Sequence, residues 1–150
     1  MKEIMVAIDG SEGSEAATKE AIELGCAVGA HLTFAYVRKP PSSLLGTPYY
    51  ECHLARDLGW ARARVDTALD RAHEAGLEAR GEVLEGNAVD EILSFADNTR
   101  ADLIVMGSRG HGALAGAVLG SVSSGVVQHA NVPVLVAKQG APHARHAAAA

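Results

Sequence analysis

Five glycines, Gly107, Gly110, Gly112, Gly116 and Gly120, fall within fourteen residues directly behind the apolar run Leu103-Ile104-Val105-Met106. Glycine at that density after a strand lets the backbone approach a ligand with no Cβ in the way, and it offers bare N–H groups. Past Gly120, the hydroxyls of Ser121, Ser123 and Ser124 precede Val126, Val127 and Ala130, a pattern that predicts a capped helix start. A helix N-terminus with free amides attracts anions, so phosphate is the natural guest. Charge agrees: all 18 acidic residues of the chain precede Leu103, whereas Arg109, Lys138 and Arg145 follow it. One carboxylate, Asp9, closes the apolar run that begins at Glu3. In Asp9-Gly10-Ser11 it reads as a turn residue, or as a functional carboxylate at a strand's carboxyl end.

Two familiar phosphate motifs fail here. A P-loop needs a lysine behind its last glycine, and Gly120 is followed by Ser121 and Val122. A dinucleotide fingerprint forced onto Gly110, Gly112 and Ala115 sits off the strand end and lacks a downstream acid for the ribose. His111 has no visible partner, His129 reads as a helix-dipole complement, and His143 and His146 lie near the C-terminus, so no histidine is assigned to catalysis.

The elements that position these groups follow from periodicity. Glu3 to Ile8 is a short strand, Ser14 is expected to cap a helix with the stripe Ala17, Ala21, Leu24 and Val28, and Leu32 to Val37 is a second strand. Arg38 to Glu51, with Pro40, Pro41, Gly46 and Pro48, reads as the longest irregular stretch and a candidate flap over the site. Leu54, Leu58, Ala61, Val65, Leu69 and Ala72 mark a long amphipathic helix ending at Gly76. A weaker strand over Leu77 to Leu84 precedes a helix with Ala88, Ile92, Phe95 and Ala96 inward. Ala101 to Met106 and Val132 to Val136 complete five strands. Their alternation with helices predicts an α/β doubly wound parallel sheet with helices on both faces. Pro133 lacks a ladder N–H, which puts the last strand at an edge.

The order Gly107-x-x-Gly110, nine residues, Gly120-Ser121 resembles the nucleotide loop of the universal stress protein family, in the subgroup that binds ATP. The resemblance runs from Lys2 to about Lys138 and implies the sheet order 3-2-1-4-5, with a crevice between strands one and four flanked by Asp9 and Gly107. It also implies nucleotide contacts at Ala7, Ile8, Asp9, Val37, Met106, Gly107, Arg109, Gly110, Gly120, Ser121, Val122 and Ser123. In that site the Val37 backbone meets the adenine edge, Met106 and Ile8 pack the adenine face, Gly107 admits the ribose and Arg109 reaches phosphate. The ligand implied is ATP, or AMP or ADP, with Mg²⁺ carried on the phosphates, and Asp9 would then accept from adenine or ribose donors or serve as a weak ligand for that Mg²⁺.

Bounds on the chain point the same way. At 150 residues and 48% hydrophobic content, residues 1–138 read as one domain and 139–150 as a flexible tail. No apolar window is long enough for a membrane span and no leader is evident, so a cytoplasmic location is expected. Cys26 and Cys52, far apart, read as reduced. A net charge of −5 without a basic cluster argues against nucleic acid. An apolar edge strand calls for a cover, and a second copy of Val132 to Val136 would supply one, predicting a homodimer. The expected role is an ATP-binding regulatory stress module with an unknown protein partner. With one aspartate and one arginine as the obvious charged groups, hydrolysis is expected to be slow at most. Two alternatives stand: an adenylating, pyrophosphate-releasing enzyme of the adenine-nucleotide α-hydrolase group using Asp9 to Ser14, and a nucleotide-free dimerisation module.

Overall fold

A computed structural model describes residues 1–40, 46–109 and 119–139. Five parallel strands, β1 (Glu3–Ile8), β2 (His31–Arg38), β3 (Ala79–Glu85), β4 (Leu103–Gly107) and β5 (Val134–Ala137), form one sheet in the order β3-β2-β1-β4-β5. The helices are α1 (Glu12–Val28), α2 (Thr47–Glu74), α3 (Ala88–Thr99) and α4 (Ser121–His129). The doubly wound α/β architecture and the strand order are therefore those expected, and the order reverses between β1 and β4.

Side chains alternate across each strand, so consecutive residues feed two cores. Ile4, Val6 and Ile8 of β1 pack with Ala17 and Ala21 of α1 and Val65, Ala68 and Ala72 of α2. Met5 and Ala7 pack with Ile92 and Ala96 of α3 and Val126 of α4 on the other face. Phe34, Ile4 and Leu32 are wholly enclosed, each stabilising the fold by about 1.5–3 kcal/mol through burial alone. Because β1 and β4 are covered on both faces, they read as continuous apolar runs.

Local chemistry moves several expected boundaries. The cap of α1 is Ser11, whose side chain accepts from the Ser14 amide at 3.2 Å. Ser14 lies inside the first turn, where its Oγ accepts from Gly10 N at 3.1 Å and donates to the Ser11 carbonyl. Val28, expected in the buried stripe, is exposed at the helix end. The stretch from Arg38 to Glu51 is less irregular than its prolines suggest: Arg38 closes β2, and Thr47 to Glu51 are helical because Pro48, in the first turn of α2, starts a helix rather than breaking one. Residues 41–45 lie outside the described residues, as does the tail from 140 onward. The third strand starts two residues later than expected, at Ala79. The fifth spans Val134–Ala137, because Pro133 precedes it and only lends its carbonyl to Ile104 N at 3.0 Å. It does form one edge of the sheet.

Both cysteines are free and exposed. Among the described residues, no helix is long and apolar enough to cross a membrane, and no group of three or more His, Cys, Asp or Glu is placed to hold a metal ion.

Candidate functional site

Pairing of Ala7 with both Ala35 and Met106 brings the carboxyl ends of β1, β2 and β4 level. Ligands of open α/β sheets settle beyond such ends, at the point of order reversal. Asp9 leaves β1 there, half-buried, and its Oδ1 accepts from Ser11 N at 2.9 Å, so the turn role anticipated for it is realised. That bond occupies one carboxylate oxygen in a turn; it also fixes where the group stands.

Across the crevice, β4 ends in a staple that the sequence did not announce. The buried Ser108 carbonyl accepts from Gly120 N at 2.7 Å and from Ser123 Oγ at 2.9 Å, while Ser108 N donates to the Ala137 carbonyl at 2.9 Å. The start of α4 is thereby pinned to the end of β4. Ser123 Oγ also meets the Gly120 carbonyl at 3.1 Å. Its hydroxyl is thus spent holding carbonyls, which corrects the expectation of a hydroxyl-capped helix. The N-cap of α4 is Gly120, with no side-chain cap, and no acid sits in the first turn. The first amides of a helix lack intrahelical partners, so Ser121, Val122 and Ser123 present N–H groups with the positive end of the helix dipole behind them.

The two loop glycines serve different purposes. A Cβ on Gly107 would lie 2.5 Å from the Gly13 carbonyl carbon, and one on Gly13 would lie 2.2 Å from the Arg109 oxygen. Backbone therefore meets backbone where the first turn of α1 crosses β4, and the bare face of Gly107 is taken up by packing rather than left for a ribose. The same contact engages Gly13, a glycine of the stretch Asp9 to Ser14. A Cβ on Gly120, by contrast, would meet nothing nearer than 3.6 Å, and its φ of −74° suits any residue. Nothing in the fold itself requires glycine there.

Of the other anticipated contacts, Ala7, Ile8 and Met106 are buried and Val37 is half-buried. Ile8 belongs to the core under α1 and α2, whereas Met106 and Val37 face α3 and α4. Met106 and Ile8 thus lie on opposite faces of the sheet and do not form one adenine-packing surface; at this edge they offer backbone. Arg109 is exposed, and Gly110 and His111 lie outside the described residues.

Sequence reasoning missed Arg64 as well. From α2 it stacks over Trp60, 4.5 Å from the ring centre, and a Cβ on Gly10 would come within 3.1 Å of its Nε. A cation thus borders the β1–α1 turn. Burial holds the Tyr36 phenol above its ordinary range, with the charges of Asp9 and Asp57 adding to the rise and Arg64 opposing it. Tyr36 is therefore a protonated donor at neutral pH.

Comparison with known proteins places this geometry in context. The sequence profile described as "Universal stress protein family" matches residues 1–138. A universal stress protein of Thermus aquaticus, encoded in the 3′ region of a sulfhydrylase gene, is 36% identical over 140 residues, covering 91% of this chain and 98% of the relative. The solved universal stress protein UspA from Lactobacillus plantarum superposes with a TM-score of 0.82 at 25% identity, covering 91% of this chain and 97% of its own. A universal stress protein solved in complex with cAMP gives a TM-score of 0.73 at 29% identity, with 92% and 97% coverage.

Proposed function

The chain belongs to the universal stress protein family, and on that premise we propose that it binds ATP, carried with Mg²⁺, in the crevice between β1 and β4. The observation that carries this reading is the uncapped start of α4, pinned to β4 through Ser108, with an open glycine at its mouth. Amides of Ser121, Val122 and Ser123 would receive the phosphates, with Gly110 and Arg109 from the loop. Backbone at Ala7, Ile8, Val37 and Met106 and the carboxylate of Asp9 would hold the nucleoside end, and Asp9 would be a weak ligand for the metal. The cAMP complex of a structural neighbour supports an adenine nucleotide as the ligand class.

The proposed role is regulatory. Bound nucleotide changes a surface read by a protein partner in the cytoplasm, and hydrolysis is slow at most, since fast phosphoryl transfer needs a set of charged groups of which Asp9 and Arg109 are the obvious candidates. The chain acts as a homodimer joined along Val132 to Val136. Calorimetry on nucleotide-stripped protein tests the central point. Titration with ATP and Mg²⁺ should release heat with one-to-one stoichiometry and compete with cAMP; no heat would refute the reading.

A further inference from the structure

A cleft of about 610 Å³, open to solvent, lies between the end of β2 and the first half of α2. Its lining is Tyr36, Val37, Arg38, Lys39, Arg56, Asp57 and Trp60. Three of these carry positive charge, one carries negative charge, and two are aromatic. Trp60 is 54% exposed although large, and Arg64 lies over its ring. An exposed indole beside cations is costly to leave uncovered and well suited to stack on a flat partner.

Arg38 strengthens the case. Its side chain is 9% exposed, its Nη2 pairs with Glu85, and its Nη1 is buried with no hydrogen-bond partner among the described residues. Buried guanidinium N–H groups are normally satisfied, and an orphan marks a place where an acceptor belongs. Lys39 and Arg56 likewise only donate, so the cleft asks for a ligand rich in acceptors. Asp57 is the acid among the lining residues, and Glu85 is already engaged by Arg38.

We propose that this cleft is a second binding site, for a planar aromatic molecule carrying a phosphate or carboxylate, its ring on Trp60 and its anion among Arg38, Lys39 and Arg56. Val37 borders both this cleft and the base end of the nucleotide crevice, so the two ligands would be neighbours. The inference stands on the cleft's own residues and holds whether or not ATP binds beyond β1.

Trp60 is the sole tryptophan of the chain, so its fluorescence reports the site directly. With 4-nitrophenyl phosphate as probe, saturable quenching is expected in the presence of saturating ATP and Mg²⁺, and equally in Gly120→Val protein. Inorganic phosphate and 4-nitrophenol, each lacking half of the recognition, should bind at least about tenfold more weakly. By calorimetry, Trp60→Ala should raise the Kd of the probe roughly tenfold and Arg56→Gln several-fold. Both residues are exposed, and unchanged circular dichroism would show that the variants fold. Non-saturable quenching, unaltered affinity in both variants, or displacement of the probe by ATP would overturn the proposal, the last by making the cleft the base end of the nucleotide site.

Discussion

Gly107 and Gly120 belong to one motif, yet the structure assigns them opposite fates on substitution. In Gly120→Val the first added carbon stands 3.6 Å or more from Ser108 O, Arg109 Cα and Ser123 Oγ, which is ordinary contact. Replacing an N-cap glycine by a residue with a poor cap preference costs about 0.5–1 kcal/mol. Restricting the unfolded chain returns about 0.4–1 kcal/mol. The net change in stability should stay within about 1 kcal/mol, or a shift of Tm of about 2–4 °C for a domain of this size. Binding should suffer far more, because the branched side chain stands over the amides of Ser121 and Val122. Losing two hydrogen bonds to a charged phosphate, at about 1.5–3 kcal/mol each, amounts to at least about a hundredfold in Kd. Gly107→Ala reverses the pattern. Its methyl would sit 2.5 Å from backbone that cannot swing aside, and overpacking of that kind costs about 1–3 kcal/mol or more. Thermal denaturation followed by circular dichroism, paired with calorimetric titration of ATP and Mg²⁺, reads both quantities on both proteins. An affinity of Gly120→Val within threefold of the parent, or a Tm loss matching that of Gly107→Ala, would refute the division of roles.

Further outcomes follow from the same geometry. Ser123→Ala should lower stability by about 1–2 kcal/mol, read by urea denaturation, because a buried hydroxyl that holds the Ser108 carbonyl is lost. Asp9→Asn should weaken ATP less than Gly120→Val does, since the amide oxygen can still accept from Ser11 N, and calorimetry at several Mg²⁺ concentrations checks it. The protein should sediment as a dimer at micromolar concentration, and Val136→Lys, at a half-buried position on the edge strand, should sediment as a monomer. A monomeric parent would remove the proposed interface. Tyr36 has its folded-state pKa raised, so its protonated form is favoured by the fold. Stability should therefore be insensitive to this group below the ordinary tyrosine value of 10.0 and fall as pH rises above it, a decline that Tyr36→Phe should reduce.

Much of the fold was legible because the strands flanking the crevice are buried on both faces, and continuous apolar runs such as Ile4 to Ile8 and Leu103 to Met106 admit few other readings. Pro133 correctly marked the edge, although by standing before the strand rather than within it. The helix caps were read less well. Ser11 and Ser14 are both competent caps, and only the backbone geometry around Gly10 decides between them. The glycine loop was recognisable from spacing, but spacing carries no information on what occupies each bare Cα. The approach of Gly13 to Gly107 joins residues far apart in the chain and leaves no local periodicity to detect. Ser108, one more small residue among glycines, had no signal to distinguish it. Arg38, Arg56 and Trp60 looked like ordinary residues at a strand end and on a solvated helix face. Their convergence depends on where α2 begins, and the prolines before it obscured that.

Ser108 links more than two elements. Its carbonyl anchors the start of α4 and its amide anchors the last residue of β5, so a single residue stands between the proposed phosphate grip and the rim of the sheet. The two groups belong to successive peptide planes hinged at the Ser108 Cα, so a displaced helix reaches the strand through the two backbone torsions of that residue. Occupancy at the proposed crevice and the proposed seam between subunits would then share one hinge, only a residue long.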